Sequence, residues 1–136
     1  MVLLLAQLFS LEKDFQVDAR KQQQGLGLLV KQPEHRACVL VAESDKQLVA
    51  MCSIQVLVST AMGGEVALLE DVIVDAAHRG GGIGKALLCE VEAWCRERGL
   101  SRLQLLADRD NGKALGFYAG HGYLSTNLLA LTRFMS

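Results

Sequence analysis

Residues 68–88 of this 136-residue chain read LLEDVIVDAAHRGGGIGKALL. The stretch begins with apolar, mostly β-branched or leucine residues, interrupted by the adjacent carboxylates Glu70 and Asp71, and this composition predicts a mostly buried strand. A loop with four glycines follows and leads directly into an amphipathic segment that predicts a helix. Because the amides at a helix start have no partner within the helix, this order predicts a binding site for phosphate oxygens.

The glycine loop fits neither of two common phosphate signatures. A nucleoside-triphosphate loop would need a glycine at Arg79 and a serine or threonine at Ala86. A dinucleotide fingerprint would need its third glycine at Lys85 or at Leu87. A nucleotide-binding domain that uses this loop is therefore the weaker alternative, and protection by ATP or NAD against thermal unfolding would reveal it.

Two linked motifs resemble a known family. The loop spells Arg79-x-x-Gly82-x-Gly84 after a strand, which is similar to the pyrophosphate loop of the GNAT superfamily of acyl-CoA N-acyltransferases. The family's second signature is matched downstream by Asn111-x-x-Ala114-x-x-Phe117-Tyr118-x-x-x-Gly122-Tyr123, at a separation typical of the family. The resemblance covers residues 68–123, whereas residues 1–66 agree only in their pattern of elements.

The pattern of elements predicts an α/β (α+β) fold of the GNAT type, with a mixed, mostly antiparallel central sheet flanked by helices. The expected order over a single domain, residues 1–136, is α-α-β-β-β-α-β-α-β, without the first strand that the family usually has, which is absent or truncated here. Helices are predicted at residues 2–9, 19–30, 82–98 and 111–120, and strands at 37–42, 48–60, 65–74, 102–107 and 128–134. Asp18 is expected to cap the second helix, a cap of the fourth helix is one of two explanations of Asn111, and Gly99 stands where the third helix should end. The strand after the third helix should run parallel to the central strand.

Composition limits the class of protein. A hydrophobic fraction of 51% predicts a well-covered sheet or a buried subunit interface, and a formal charge of −1 gives no reason to expect nucleic-acid or membrane-surface binding. The N-terminal apolar run, residues 2–6, is far shorter than the ~20 residues of a membrane span, so a cytoplasmic protein is expected. The four cysteines form no Cys-x-x-Cys pair, and we expect core thiols and no metal.

The resemblance implies acetyl-CoA as the cosubstrate and assigns positions for it. The pantetheine arm would bind main-chain groups of the central strand, in a gap between this strand and the parallel one. The pyrophosphate would bind the glycine loop, and an asparagine would touch the cofactor further along. The matching positions are Val72, Ile73 and Val74 for pantetheine, Arg79, Gly80, Gly81, Gly82, Ile83, Gly84 and Lys85 for pyrophosphate, and Asn111.

The implied reaction is direct attack of a primary amine on the thioester while both substrates are bound. Such an amine has a pKa near ~10.4, so it must lose a proton first, and the departing thiolate must be stabilised. Glu70 and Asp71 are the candidates for the first task, with Glu70 favoured. Because neighbouring strand residues point to opposite faces, only one of them is expected to reach the gap. Tyr118, at the family's Phe-Tyr position, is the candidate for the second task.

The acceptor and the assembly are predicted less closely. A small-molecule or peptide amine is expected, and several carboxylates outside the motifs could attract a cationic one, namely Glu12, Asp14, Asp18 and Glu65. A non-catalytic domain that binds acyl-CoA as a sensor stays as an alternative. Residues 128–131 are apolar on both faces of a predicted strand near a chain end, which favours a homodimer, by packing or by strand exchange.

Overall fold

The computed structural model of the protein describes residues 1–12 and 14–135. The helices are α1 (Val2–Leu11), α2 (Ala19–Lys31), α3 (Ile83–Glu97) and α4 (Gly112–Gly120), and the strands are β1 (Ala37–Ser44), β2 (Gln47–Ser59), β3 (Gly64–Val74) and β4 (Leu103–Leu105). A short 3-10 turn, Ala76–His78, lies between β3 and the glycine loop. Within the described ranges, no helix has the length and apolar character needed to cross a bilayer.

The four strands form one sheet in the order β1-β2-β3-β4. Strand β2 pairs antiparallel with β1 and with β3. After the α3 crossover, β4 pairs parallel with β3. The β1–β2 hairpin turns through Asp45 and Lys46, which have φ angles of 48° and 64°. Two successive positive φ values match the right-handed twist of paired strands. The predicted mixed, mostly antiparallel sheet with flanking helices is therefore confirmed.

Helices cover both faces of the sheet. On one face, Leu5 of α1 and Leu26 of α2 pack in a buried cluster with Met51 and Ile73. Helix α3 packs on the other face and buries Leu87, Leu88, Val91 and Cys95. Each fully buried side chain of this size contributes roughly 1.5–3 kcal/mol relative to its exposed state. The central strands are therefore held from both sides, which fixes the position of the β3 side chains.

The start of α2 agrees with its predicted cap. The Asp18 carboxylate accepts hydrogen bonds from the amides of Arg20 at 3.1 Å and Lys21 at 3.2 Å. These two amides would otherwise lack partners in the first turn, so the cap stabilises the helix by about 1 kcal/mol. The first residues of α2, Lys21 and Gln22 among them, are thus held in place.

The chain forms two compact units, Met1–Leu105 and Leu106–Ser136. The first contains the sheet with α1, α2 and α3, and the second contains α4. The single domain predicted over residues 1–136 stays a prediction.

The last predicted strand, residues 128–134, is wrong. Residues 123–135 form neither helix nor strand, and Leu128, Leu131 and Phe134 are exposed. A strand exists only through its hydrogen-bonded partners, and within the described residues no strand pairs with this segment. Its apolar pattern predicted burial on both faces, but the sequence of one segment does not determine whether another strand pairs with it.

Candidate active site

The two central carboxylates lie at an irregularity in β3. The β2–β3 register runs from Ser53 opposite Glu70 to Met51 opposite Ile73, so β3 has one extra residue in this interval. Asp71 takes up the bulge with a φ of 57°, in the left-handed region that few side-chain residues adopt. Aspartate is among the residues that tolerate this conformation best.

The bulge brings both carboxylates to one cavity. A cavity of about 400 Å³ lies between α1, α2 and the sheet, and both Glu70 and Asp71 line it. The remaining lining residues are Leu5 and Phe9 of α1, Lys21, Gln22, Gly25, Leu26, Leu28, Leu29 and Gln32 of α2, and Gln55 of β2. The expectation that the two carboxylates point to opposite faces is therefore wrong, because it assumed a regular strand.

A buried hydroxyl holds one of the carboxylates. The Ser53 hydroxyl donates to Oδ2 of Asp71 at 2.8 Å, and its oxygen lies 3.3 Å from the carbonyl oxygen of Glu70. Ser53 is only 1% exposed. The sequence analysis did not single out this residue, although a serine within the apolar run of β2 was a visible signal.

Both carboxylates are shifted toward the protonated form. Burial raises the pKa of Glu70 above its ordinary value, and the neighbouring charge of Asp71 raises it further. Burial also raises the pKa of Asp71, against the opposing effect of the Ser53 hydrogen bond. A carboxylate with a raised pKa is a better proton acceptor at neutral pH, so this pair is suited to general-base chemistry.

The pairing between β3 and β4 ends just before this pair. The last partners are Leu69 and Leu105, and within the described residues no strand pairs with residues 70–74 on this side of β3. The main-chain groups of Val72, Ile73 and Val74 therefore border an unpaired stretch of strand edge. These are the positions that the sequence assigns to main-chain contacts with pantetheine.

The glycine loop leaves the N-terminus of α3 open. Gly80 and Gly82 have φ angles of 83° and 84°, and Gly82 is the N-cap of α3. Among residues 1–12 and 14–135, no side chain caps this helix start, and the sequence has no acidic residue in its first turn. The amides of Ile83, Gly84 and Lys85 therefore face outward without a helical partner. Backbone amides in this state are suited to binding phosphate oxygens.

Side-chain hydrogen bonds hold both ends of the segment that joins β3 to the glycine loop. The guanidinium Nε of Arg79 donates to the carbonyl of Val74 at 3.0 Å, so the arginine is anchored to the end of β3. Gln7 of α1 donates through Nε2 to Asp75 at 2.8 Å, and its amide oxygen accepts from the amide of Ala76 at 3.2 Å.

The other Asp75 oxygen contacts Nδ1 of His78 at 2.8 Å. Hydrogen bonds from Gln7 and His78 lower the pKa of Asp75. Sequence reasoning missed Gln7, since a lone glutamine in an apolar helix has no motif to mark it.

The second unit carries the other predicted residues. The side-chain oxygen of Asn111 accepts from the amide of Ala114 at 3.1 Å, so Asn111 is the N-cap of α4. Tyr118 lies on α4 with its ring 5.3 Å from the ring of Phe117 and 5.5 Å from that of Tyr123.

Some polar candidates have other partners. Glu65 forms an ion pair with Arg36 at 2.7 Å, and Asp18 caps α2. Neither carboxylate lines the cavity. Cys52 is buried, and burial raises its pKa to about 12, but Cys89 is exposed, so the expectation of core thiols does not hold for every cysteine. Residues 1–12 and 14–135 bring together no group of three side chains suited to a metal ion.

Comparison with known proteins identifies the family. The family model described as "Acetyltransferase (GNAT) family" matches residues 5–123. The chain belongs to the GNAT acetyltransferase family. The resemblance predicted from two motifs is therefore confirmed, and the match extends into the N-terminal part, which carries no diagnostic residue.

Two curated proteins are similar in sequence to parts of this chain. The chain is 41% identical over 54 residues to the uncharacterized protein YxbD of Bacillus subtilis (strain 168), which covers 40% of this chain and 34% of that protein. It is 33% identical over 92 residues to N-acetyltransferase 8B of Mus musculus, covering 68% of this chain and 40% of that protein. The chain thus spans between a third and two fifths of the length of these two relatives.

The fold agrees with that of a solved family structure. An aminoglycoside acetyltransferase, meta-AAC0020, from an uncultured soil metagenomic sample superposes with a TM-score of 0.79 at 22% identity, covering 99% of this chain and 85% of that chain. At this identity the likeness establishes the fold alone. It confirms the predicted GNAT-type fold.

Proposed function

We propose that this GNAT protein transfers the acetyl group of acetyl-CoA to a primary amine of a small molecule or peptide, by direct attack in a ternary complex. The observation that carries the proposal is the pair Glu70 and Asp71, which shares one cavity on the same strand that leads into the glycine loop. A proton acceptor and a phosphate-binding loop are thus linked by a few residues of β3.

The cosubstrate is held by main chain more than by side chains. The open amides of Ile83, Gly84 and Lys85 bind pyrophosphate oxygens, together with the loop glycines Gly80 and Gly81. The unpaired edge of β3 at residues 72–74 offers hydrogen bonds to the pantetheine amides. Arg79, already anchored to Val74, adds a positive charge beside the phosphates.

The chemistry then needs two proton transfers. Glu70, directly or through a water molecule, accepts a proton from the ammonium form of the acceptor. The amine lone pair forms the new C–N bond at the thioester carbonyl, the C–S bond breaks, and its electron pair leaves on sulfur. The nitrogen then loses its second proton, which replaces, through solvent, the proton that the thiolate takes up. Tyr118 donates a proton or a hydrogen bond to that thiolate, an assignment that rests on its position in the second motif. The products are the N-acetylated amine and CoA thiol.

A further part of the proposal is a homodimer. Leu128, Leu129 and Leu131 are 80%, 73% and 92% exposed, and they lie close together in a segment that is neither helix nor strand. Apolar segments of this kind are commonly covered in an assembly, because exposed extended apolar chain favours association. A second copy of the chain is the partner that we propose.

The alternative is a domain that binds acyl-CoA without catalysing a reaction. The raised pKa values of Glu70 and Asp71 favour the enzyme. Desolvation of two carboxylates opposes folding, and a catalytic base explains this cost, whereas binding of acyl-CoA alone requires no base. Thiol release from acetyl-CoA, measured with a panel of amines, separates the two. The enzyme gives amine-dependent release that Glu70→Gln lowers roughly 10²-fold or more, whereas a sensor binds CoA and releases no thiol with any amine.

A further inference from the structure

The cavity that Glu70 and Asp71 line has hydrogen-bond donors on α2 and acceptors on β3. The acceptors are the two β3 carboxylates. The donors lie in the first turn and a half of α2, where Lys21 and Gln22 line the same cavity. Lys21 forms no ion pair within the described residues, so its ammonium group is available to a ligand.

The amide of Gln22 is oriented by the helix cap. Its oxygen accepts a hydrogen bond from the backbone amide of Asp18 at 2.9 Å, which leaves its NH₂ group to donate. Two donors, one of them cationic, thus stand next to each other on α2. The Asp18 carboxylate is occupied by the amides of Arg20 and Lys21 and does not line the cavity.

Apolar side chains line the same cavity. Phe9, Leu26 and Leu29 line the cavity from α1 and α2. A volume of about 400 Å³ is in the range of small-ligand pockets, of about 300–1,000 Å³, and does not require a macromolecular acceptor. A ligand that satisfies all three regions carries an amine, an apolar body and an anionic group.

We propose that the acceptor is a small primary amine that carries an anionic group and an apolar body, such as an apolar amino acid or dipeptide. This inference rests on the proposed acetyltransferase function. The ammonium group lies at Glu70 and Asp71, the anionic group lies at Lys21 and Gln22, and the body contacts the leucines and Phe9. A polycation is disfavoured, because its second charge would meet the like charge of Lys21.

The test compares matched ligands that differ only in the anionic group. Leucyl-leucine and phenylalanine are compared with leucyl-leucinamide and phenethylamine, and spermidine serves as the polycation. We expect kcat/KM for the acids to exceed that for their neutral partners at least tenfold.

Charge reversal at Lys21 gives the decisive variant. Lys21→Glu should raise KM for leucyl-leucine at least tenfold and remove the preference over its amide. Arg20→Glu is the matched control, because Arg20 is the adjacent residue in the same helical turn and does not line the cavity. It should keep the preference of the wild-type chain. Equal behaviour of the two variants, or equal or faster turnover of the amide, phenethylamine or spermidine, would overturn the proposal.

A binding measurement keeps this result apart from the proposed function. The thermal unfolding of the wild-type chain with CoA is followed after addition of leucyl-leucine or its amide. Stabilisation by the acid alone, lost in Lys21→Glu, supports the acceptor class even if no thiol is released, in which case only the acetyltransferase proposal fails. Stabilisation by neither ligand, or equally by both, overturns the acceptor class whether or not another amine is acetylated.

Discussion

The left-handed conformation of Asp71 makes a quantitative prediction about stability. Asp71→Val and Asp71→Asn both remove the desolvated charge, so their comparison isolates the backbone and the Ser53 hydrogen bond. Valine is β-branched, and a side-chain residue in the left-handed region costs roughly 1–2 kcal/mol, whereas asparagine tolerates it. Asparagine also keeps an oxygen that can accept from Ser53 at the observed 2.8 Å.

The lost hydrogen bond adds to this difference. In Asp71→Val the Ser53 hydroxyl retains only the carbonyl of Glu70, 3.3 Å away, which costs about 1 kcal/mol. We therefore expect Asp71→Val to be about 2–3 kcal/mol less stable than Asp71→Asn, equivalent to a melting temperature about 10 °C lower for a chain of this length. Thermal unfolding followed by circular dichroism, checked by guanidinium denaturation, gives both quantities.

A glycine variant separates the two contributions. Asp71→Gly frees the backbone and loses only the hydrogen bond, so it should fall between the other two, about 1 kcal/mol below Asp71→Asn. If all three variants melt within about 2 °C of one another, residue 71 is not held in the left-handed region. The explanation of how both carboxylates reach one cavity would then be wrong.

The remaining predictions concern binding, chemistry, pH and assembly. Gly82→Val should weaken CoA binding at least tenfold by calorimetry, about 1.4 kcal/mol, because its φ of 84° and its place among the proposed phosphate-binding amides both exclude a branched side chain. Gly81 has no positive φ, so Gly81→Ala should fold normally. Unchanged affinity in folded Gly82→Val would refute the phosphate site. Tyr118→Phe should lower kcat by roughly 10² with little change in acetyl-CoA affinity, and a kcat within a few-fold of wild type would reduce Tyr118 to packing. Burial in the folded protein raises the pKa of Glu70, so ionisation of Glu70 opposes folding at pH 7–8. Glu70→Gln should therefore raise the melting temperature at pH 7–8, and this gain should vanish as the pH falls to about 4, where the carboxyl is protonated in both states. A gain that persists at about pH 4 would contradict the burial effect. Light scattering at micromolar concentration should show a homodimer, and truncation before residue 128 should shift it to monomer; a monomeric full-length chain would count against the role of residues 128–131.

Local signals in the sequence predicted much of the fold, because each depends on a few neighbouring residues. Asp18 caps α2 through amides two and three residues away, and Asn111 caps α4 in the same way. Gly99, with a φ of 66°, follows the end of α3, where a left-handed residue ends the helix. The three-strand meander and the parallel β4 follow from hydrophobic runs, turns and the handedness of crossovers.

The site could be predicted only in part, because its geometry depends on pairing across the sheet. The bulge at Asp71 is a property of how β3 aligns with β2, and no residue near it marks the extra position. The bond between Gln7 and Asp75 spans 68 positions in the chain, so no local pattern contains it. The strand expected at residues 128–134 was wrong for a related reason, since pairing needs a second strand that the segment itself cannot specify.

The features that favour function in β3 each oppose its stability. A regular strand would pair along both edges, point Glu70 and Asp71 to opposite faces and leave no side chain in the left-handed region. This strand instead stops pairing with β4 at Leu69, bulges at Asp71 and holds two desolvated carboxylates at one cavity. Such departures persist only where the surrounding packing determines them, and here β2, α1 and α3 provide that packing. The departures are confined to residues 70–74, between a regular strand and the glycine loop, which is where the proposed reaction requires its proton acceptor.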